Sequence, residues 1–162
     1  MALDSQTLRL TMRQWATGVT IVTSAAGTAR GGMTVSSFTS VSLEPPTVLV
    51  CLNKKTYTHG LVSESGVYAI SMLSAGQEAL ANRFAGLDAN VTDRFEGIEV
   101  ETAETGSPLL PGAVAWLDCQ VRQAIGTSTH TIYIAEVVYA HVRVDTEPLV
   151  YHNRRYRLFT EP

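Results

Sequence analysis

Residues 32–53, "GMTVSSFTSVSLEPPTVLVCLN", decide how the chain is read. Met33, Val35, Val41 and Leu43 keep one face of a period-two pattern, while Thr34, Ser36, Ser40 and Ser42 take the other. Ser37 and Thr39 interrupt the apolar face itself, beside a lone Phe38. Glu44, Pro45 and Pro46 force a sharp exit, because proline removes a backbone donor and disfavours helix before it. Residues 47–52, "TVLVCL", then read as a strand buried on both faces. The stretch is β structure, but the first half carries more hydroxyls than a sheet needs.

The rest of the chain repeats the β theme. Upstream, Asp4 or Ser5 offers the cap of a helix with Leu8, Met12 and Trp15 on one face and Gly18 after its end. "VTIVTS" (19–24) is a strand, and residues 27–32 supply a turn. Downstream, a short helix through Leu61–Glu64 precedes the strand "VYAISML" from Val67. Ser74 and Gln77 have capping-box spacing ahead of a helix through Phe84. Residues 86–112 lack a period and read as loop. In 113–123, Ala113, Ala115, Leu117, Cys119 and Val121 share a face. In 131–143, Ile132, Ile134, Val138, Ala140 and Val142 share one with a single charge, Glu136. Leu149–Tyr151 and Tyr156–Phe159 bracket the turn "HNRR". Many short strands with few helices predict an antiparallel barrel or sandwich rather than alternating βαβ units.

A chain of 162 residues is expected to form one domain, spanning 1–162, that buries about two-thirds of its unfolded surface. Its 45% hydrophobic content and net charge of -3 are those of an ordinary globular protein, and lack the basic stripe of a nucleic-acid binder. Cys51 and Cys119 sit in apolar runs outside any C-x-x-C, as expected of buried free thiols in a reducing compartment. No leader pattern and no apolar run near 18 residues occurs, which predicts a soluble cytoplasmic protein without membrane partners.

Several chemistries are disfavoured by what the residues lack. G-x-S-x-G is missing around Ser36 and Ser37, so hydrolysis by a serine nucleophile has no support. His59, His130, His141 and His152 lie far apart with no ligand spacing, so no metal is expected. "GTARGG" (27–32) is not the dinucleotide fingerprint. Anion binding fares better. Thr34, Ser36 and Ser37, then Asn53, Lys54, Thr56 and Thr58, make two rims of hydroxyls, amides and cation that suit phosphate and ribityl oxygens. An ordinary polar sheet face is the competing reading.

The runs "RQWATGVTIVTS", "GMTVSSFTSVSLEPPTVLVCLN", "NRFAG", "DRFEGI", "HTIYIAEV" and "PLVYHNRRY", in this order from about residue 8 to 159, resemble the short-chain flavin reductase family. These are reductase components of two-component flavin-dependent monooxygenases. The resemblance implies a mainly β fold, a split β-barrel with a Greek-key core and a few short helices. It implies a homodimer with flavin near the subunit interface, and a monooxygenase partner that receives reduced flavin by diffusion or transient contact. The implied reaction is hydride transfer from NADH, with NADPH less favoured, to FAD or FMN. Carried over residue by residue, the flavin wall comprises Met33, Thr34, Val35, Ser36, Ser37, Cys51, Leu52 and Asn53. It continues through Lys54, Thr56, Thr58 and His59 to Phe84, Ala85 and Gly86. The nicotinamide side comprises Arg13, Trp15, His130, Tyr151, Arg154 and Tyr156.

The sequence departs from the family pattern in places. Lys55 and Thr56 stand where a Ser-Ser pair is common, and Ser128-Thr129 stands where Gly-Asp precedes the His. Ala135 and Arg154 each replace a usual Gly. On such a site both reactive atoms belong to the cofactors, so the protein stacks, orients and excludes water. The resemblance implies that His130 orients the nicotinamide carboxamide or shields the site rather than accepting a proton. Glu136, on its apolar face, is expected at or near a dimer contact, because a buried carboxylate needs a partner. A flavoprotein with tightly held FMN serving another acceptor, or a non-catalytic flavin-binding module, are the alternatives.

Overall fold

Ser36 and Ser37 lie between two strands, and that break organises the molecule. A computed structural model describes residues 3–159. Its elements begin with α1 (Ser5–Met12), β1 (Thr17–Gly18), β2 (Thr20–Ala26), β3 (Ala29–Val35), β4 (Phe38–Leu43) and β5 (Pro46–Asn53). They continue with α2 (Tyr57–Ser65), β6 (Val67–Met72), α3 (Glu78–Phe84), β7 (Ala115–Gly126), β8 (His130–Val142), β9 (Val150–His152) and β10 (Arg155–Arg157). Seven strands form one antiparallel sheet in the order β3-β2-β6-β7-β8-β5-β4, and β1-β9-β10 form a small second sheet.

β3 and β4 are therefore the two edges of the large sheet, yet only two residues separate them. Such a link spans about 11 Å at most. The sheet must curl until its edges meet there, which makes it a barrel split along the rest of that seam. The β6-β7-β8 meander with β5 returning beside β8 is a Greek key. The expected mainly β, split-barrel class is what the chain adopts.

Period two explains the interior. From β5, Val48, Val50 and Leu52 point inward to Val22, Tyr68, Ile70, Cys119 and Tyr133. The strand is thus not buried on both faces as expected. Leu49 and Cys51 point outward and are only half-buried, so of the two thiols only Cys119 is buried. The doubly buried strands are β2 and β6, because Phe84 of α3, Phe95 and Leu110 of the 86–112 loop, and Leu149 just before β9 cover their outer face at Ile21. Buried polar side chains fasten that cover. Thr23 donates to the Pro108 carbonyl at 2.5 Å, Ser71 Oγ accepts from Leu110 N at 3.0 Å, and Asp118 accepts from Thr105 N at 2.7 Å.

Other expectations shift for local reasons. The apolar alternation does not run through residues 33–43. It breaks at Ser36-Ser37, and Val41 and Leu43 are 51% and 85% exposed on an edge strand with a register shift. α1 is capped by Asp4, which accepts from Thr7 N at 2.9 Å, but it stops at Met12 and buries none of its residues. Trp15 and Gly18 lie beyond it, Gly18 inside β1. Gly31 and Gly32 belong to β3, leaving Gly27-Thr28 as the turn. α2 runs from Tyr57, capped by Thr56, and is longer than expected. Gln77 accepts from Ser74 N at 3.0 Å, half of a capping box, while α3 starts only at Glu78. β10 ends at Arg157 rather than Phe159.

The face of β8 carrying Ile132, Ile134 and Glu136 points outward, and Thr131, Tyr133 and Ala135 point in. Glu136 is not buried in the single chain. Its side chain is 39% exposed and pairs with Arg122 at 2.7 Å.

Candidate functional site

The hydroxyl-rich stretch lies between two depressions, one on each side of the edge break. The first, about 550 Å³, is walled by β3, the start of α2, the end of α3 and residues 92–95. Its floor is nearly bare backbone. A Cβ at Gly32 would sit 2.7 Å from the Phe84 ring, and one at Gly31 would sit 2.8 Å from Leu61. Both substitutions would force a wall apart. Thr56 to Thr58 line it, so the positive end of α2 faces this cleft.

Of the expected residues, Met33, Thr34, Thr56, Thr58, Phe84 and Ala85 meet in this cleft. Lys55, Arg30 and Arg94 join them, opposed among the described residues by the single carboxylate Asp93. Arg94 Nη1 donates to Gly32 O and Phe84 O, each at 2.9 Å, and so ties β3 to the end of α3. Arg30 lies 4.7 Å from the centroid of Phe95 and 3.7 Å from Asp93. Thr34 Oγ1 donates to Ala81 O at 2.6 Å and keeps a lone pair for accepting. Cations and hydroxyls beside the exposed ring of Tyr57 form a set suited to an anionic ligand with an aromatic part.

The second depression, about 670 Å³, is lined by Arg13, Trp15, Ser36, Ser37, Cys51, Tyr151 and Arg154 from the expected set. Arg9, Phe38, Leu49 and Asn153 complete its polar and apolar walls. Among the described residues, no carboxylate lines it. Ser37 donates to Cys51 O at 2.8 Å, which clamps the edge link onto β5. Arg13 Nε is buried without a hydrogen-bond partner. Arg154 and Asn153 form the β9–β10 turn with φ of 61° and 49°, the left-handed turn that the missing glycine would have favoured.

The remaining expected residues stand apart. Val35 and Leu52 are core side chains, 6% and 0% exposed, so only their backbone can meet a ligand. Gly86, at φ 73°, lies against Arg94. Asn53 pairs with His130 across the outer face of β5 and β8, two rungs beyond Cys51 and Ile132. His59 Nε2 lies 2.9 Å from Thr131 Oγ1, and burial first, then the Lys54 charge, holds its pKa below 6.5. Tyr156 donates to Asn82 Oδ1 at 2.8 Å, and burial with Tyr151 and Glu78 nearby raises its pKa. Among the described residues, no three His, Cys, Asp or Glu side chains gather as a metal site, and no helix is long and apolar enough to cross a membrane.

Sequence reasoning gave no role to Arg30, Arg94 or Phe95. "DRFEGI" was noted as a run, but only the fold brings residue 94 to Gly32, 62 positions earlier.

The flavin reductase like domain family matches residues 12–160. The chain is 39% identical over 153 residues to the reductase component of the FADH(2)-dependent resorcinol hydroxylase of Rhizobium sp. (strain MTP-10005), covering 93% of this chain and 85% of that protein. It is 36% identical over 145 residues to an FMN reductase (NADH) of Stutzerimonas stutzeri (strain A1501), covering 90% and 83%. Among solved structures, the NADH:FAD oxidoreductase of Streptomyces globisporus C-1027, in complex with NAD and FAD fragments, superposes with a TM-score of 0.88 at 36% identity. That alignment covers 99% of this chain and 97% of the other. This chain belongs to the flavin reductase like domain family.

Proposed function

We propose that the protein is an NADH-dependent flavin reductase that takes up free FAD or FMN, reduces it and releases it to a partner flavin-dependent monooxygenase. Residues 1–162 act as one such domain. The observation that carries the reading is the first cleft, where Lys55, Arg94 and Thr56 stand beside the exposed ring of Tyr57 at the positive end of α2. This donor set fits a flavin phosphate and ribityl chain. When bound, flavin accepts a hydride from reduced nicotinamide.

The chain's own residues position the two partners. Thr34, Thr56 and Lys55 hold the polar tail of the flavin. Ser36, Ser37 and the backbone of Cys51 and Asn53 border its ring. Arg13, Trp15, Tyr151 and Arg154 hold the dinucleotide in the second groove, and its arginines offset the pyrophosphate charge. His130 orients the nicotinamide from the outer face of β8.

A homodimer completes the site. Leu49, Cys51, Ile132 and Ile134 leave an apolar outer face only half-buried, and Ile125 beside them is 40% exposed. Leu8, Leu10 and Met12 of α1 are about half exposed beside the second groove. A second copy covering this face would bury both. NADH as reductant and two thiols left unpaired support a cytoplasmic location.

Anaerobic reduction tests the function. Catalytic amounts of protein with NADH should bleach a large molar excess of FMN or FAD. Reduction of a single flavin per chain would make it a flavoprotein with a resident group. No reduction would leave only a binding module.

A further inference from the structure

Lys54 and Lys55 are neighbours in sequence, but the chain sends them to different places. Beyond β5, Asn53 Oδ1 accepts from Lys55 N at 2.9 Å, and Asn53 O accepts from Thr56 N at 3.0 Å and Thr56 Oγ1 at 2.8 Å. This closed turn delivers Lys55 and Thr56 to the first cleft, which Lys54 does not line. Lys54 leaves on the other side. Its backbone N donates to Thr129 O at 3.0 Å, and its ammonium donates to Thr127 O.

Those two acceptors belong to the β7–β8 turn that presents His130. Thr127 N donates to His130 O at 2.8 Å, and Thr127 Oγ1 donates to the same oxygen at 3.0 Å. His130 N donates back to Thr127 Oγ1 at 3.2 Å, and Thr129 Oγ1 lies 2.8 Å from His130 Nδ1. Every residue from Arg122 to His130 is exposed, so packing does little to hold this turn. Its geometry rests on hydrogen bonds, of which the ammonium–carbonyl contact is the charge-assisted one.

We propose that Lys54 is a positioning residue for the nicotinamide side of the site, bracing the turn that carries His130, while Lys55 alone of the pair meets the flavin phosphate. The inference rests on the reading of His130 as a nicotinamide contact. It divides the lysine pair between the two substrates.

The test is steady-state kinetics on Lys54→Ala, Lys54→Arg, Lys55→Ala, His130→Ala and the double variant Lys54→Ala/His130→Ala, with NADH against FMN and riboflavin. Lys54→Ala should raise the KM for NADH about 3- to 10-fold and leave the KM for FMN within about twofold. Lys54→Arg, which can reach the same carbonyl, should restore it. Lys55→Ala should raise the KM for FMN and not that for riboflavin. In the His130→Ala background, removing Lys54 should add nothing. If His130→Ala itself leaves NADH kinetics unchanged, the reading of His130 falls and the inference with it. If His130→Ala is impaired but Lys54→Ala raises the KM for FMN alone, or changes neither, only the division of the lysines is overturned. An undiminished Lys54→Ala effect in the double variant also overturns it, because the effect would not pass through His130.

Discussion

The two outer faces of the one barrel sheet are finished differently. Over β2, β6 and β7 the chain supplies its own cover, and polar pins from Thr23, Ser71 and Asp118 fix the 86–112 loop in place. Over β5 and β8 the matching face carries Leu49, Cys51, Ile132 and Ile134 only half-buried. The first cleft is edged by the covered region, and its walls are tied by Arg94. The second groove borders the bare region, with α1 burying none of its residues. A sheet face that alternates apolar side chains without polar pins asks for an apolar cover from outside, and a second copy is the cover we propose.

Placing a charge on the bare face is the hardest blow to that comparison. Ile134→Arg should convert the proposed dimer to a monomer in sedimentation and lower NADH:flavin turnover roughly 100-fold, since a buried unpaired guanidinium costs about 3–5 kcal/mol. A wild-type monomer that is fully active would remove the comparison's premise. On the covered side, Phe84→Ala should destabilise by about 3–5 kcal/mol in urea unfolding, because Phe84 is fully buried and edge-on to Phe95 at 5.0 Å.

Smaller changes sharpen it. Thr23→Val strands the Pro108 carbonyl and should cost about 1–3 kcal/mol, with faster hydrogen exchange confined to the 86–112 loop. Arg154→Gly relieves a left-handed residue at φ 61° and should raise stability by about 1 kcal/mol in thermal unfolding. The gentlest effect is on pH. Burial and then Lys54 hold His59 below 6.5, so the unfolded chain binds more protons and stability falls as pH drops through 6.5. His59→Gln should flatten that part of the pH profile of unfolding.

Much of the fold was legible because antiparallel strands write a period of two into the sequence, as in β5 and β8. What covers each face is not written locally. "TVLVCL" looks doubly buried, and only the position of α3 and the loop decides that β2 and β6 are the buried strands instead. The hydroxyls of residues 34, 36 and 37 line the two clefts. Their division between two clefts follows from the break at Ser36-Ser37, where the opposite sheet edges meet. Arg30 and Arg94 escaped notice because a turn and an aperiodic loop give no signal of where their side chains arrive. α2 was underestimated because only Thr58, Leu61 and Val62 of it are buried, too short a stripe to mark its start.

The central claim is that a cationic cleft recognises the phosphate of a flavin that is reduced at the expense of NADH. NADH oxidation measured at fixed NADH with FMN, FAD and riboflavin in turn tests it most directly. The account predicts turnover with all three and a KM for FMN and FAD at least about tenfold below that for riboflavin, the worth of one charge-assisted phosphate contact. Equal KM values for the three flavins, or no NADH oxidation with any of them, would contradict it.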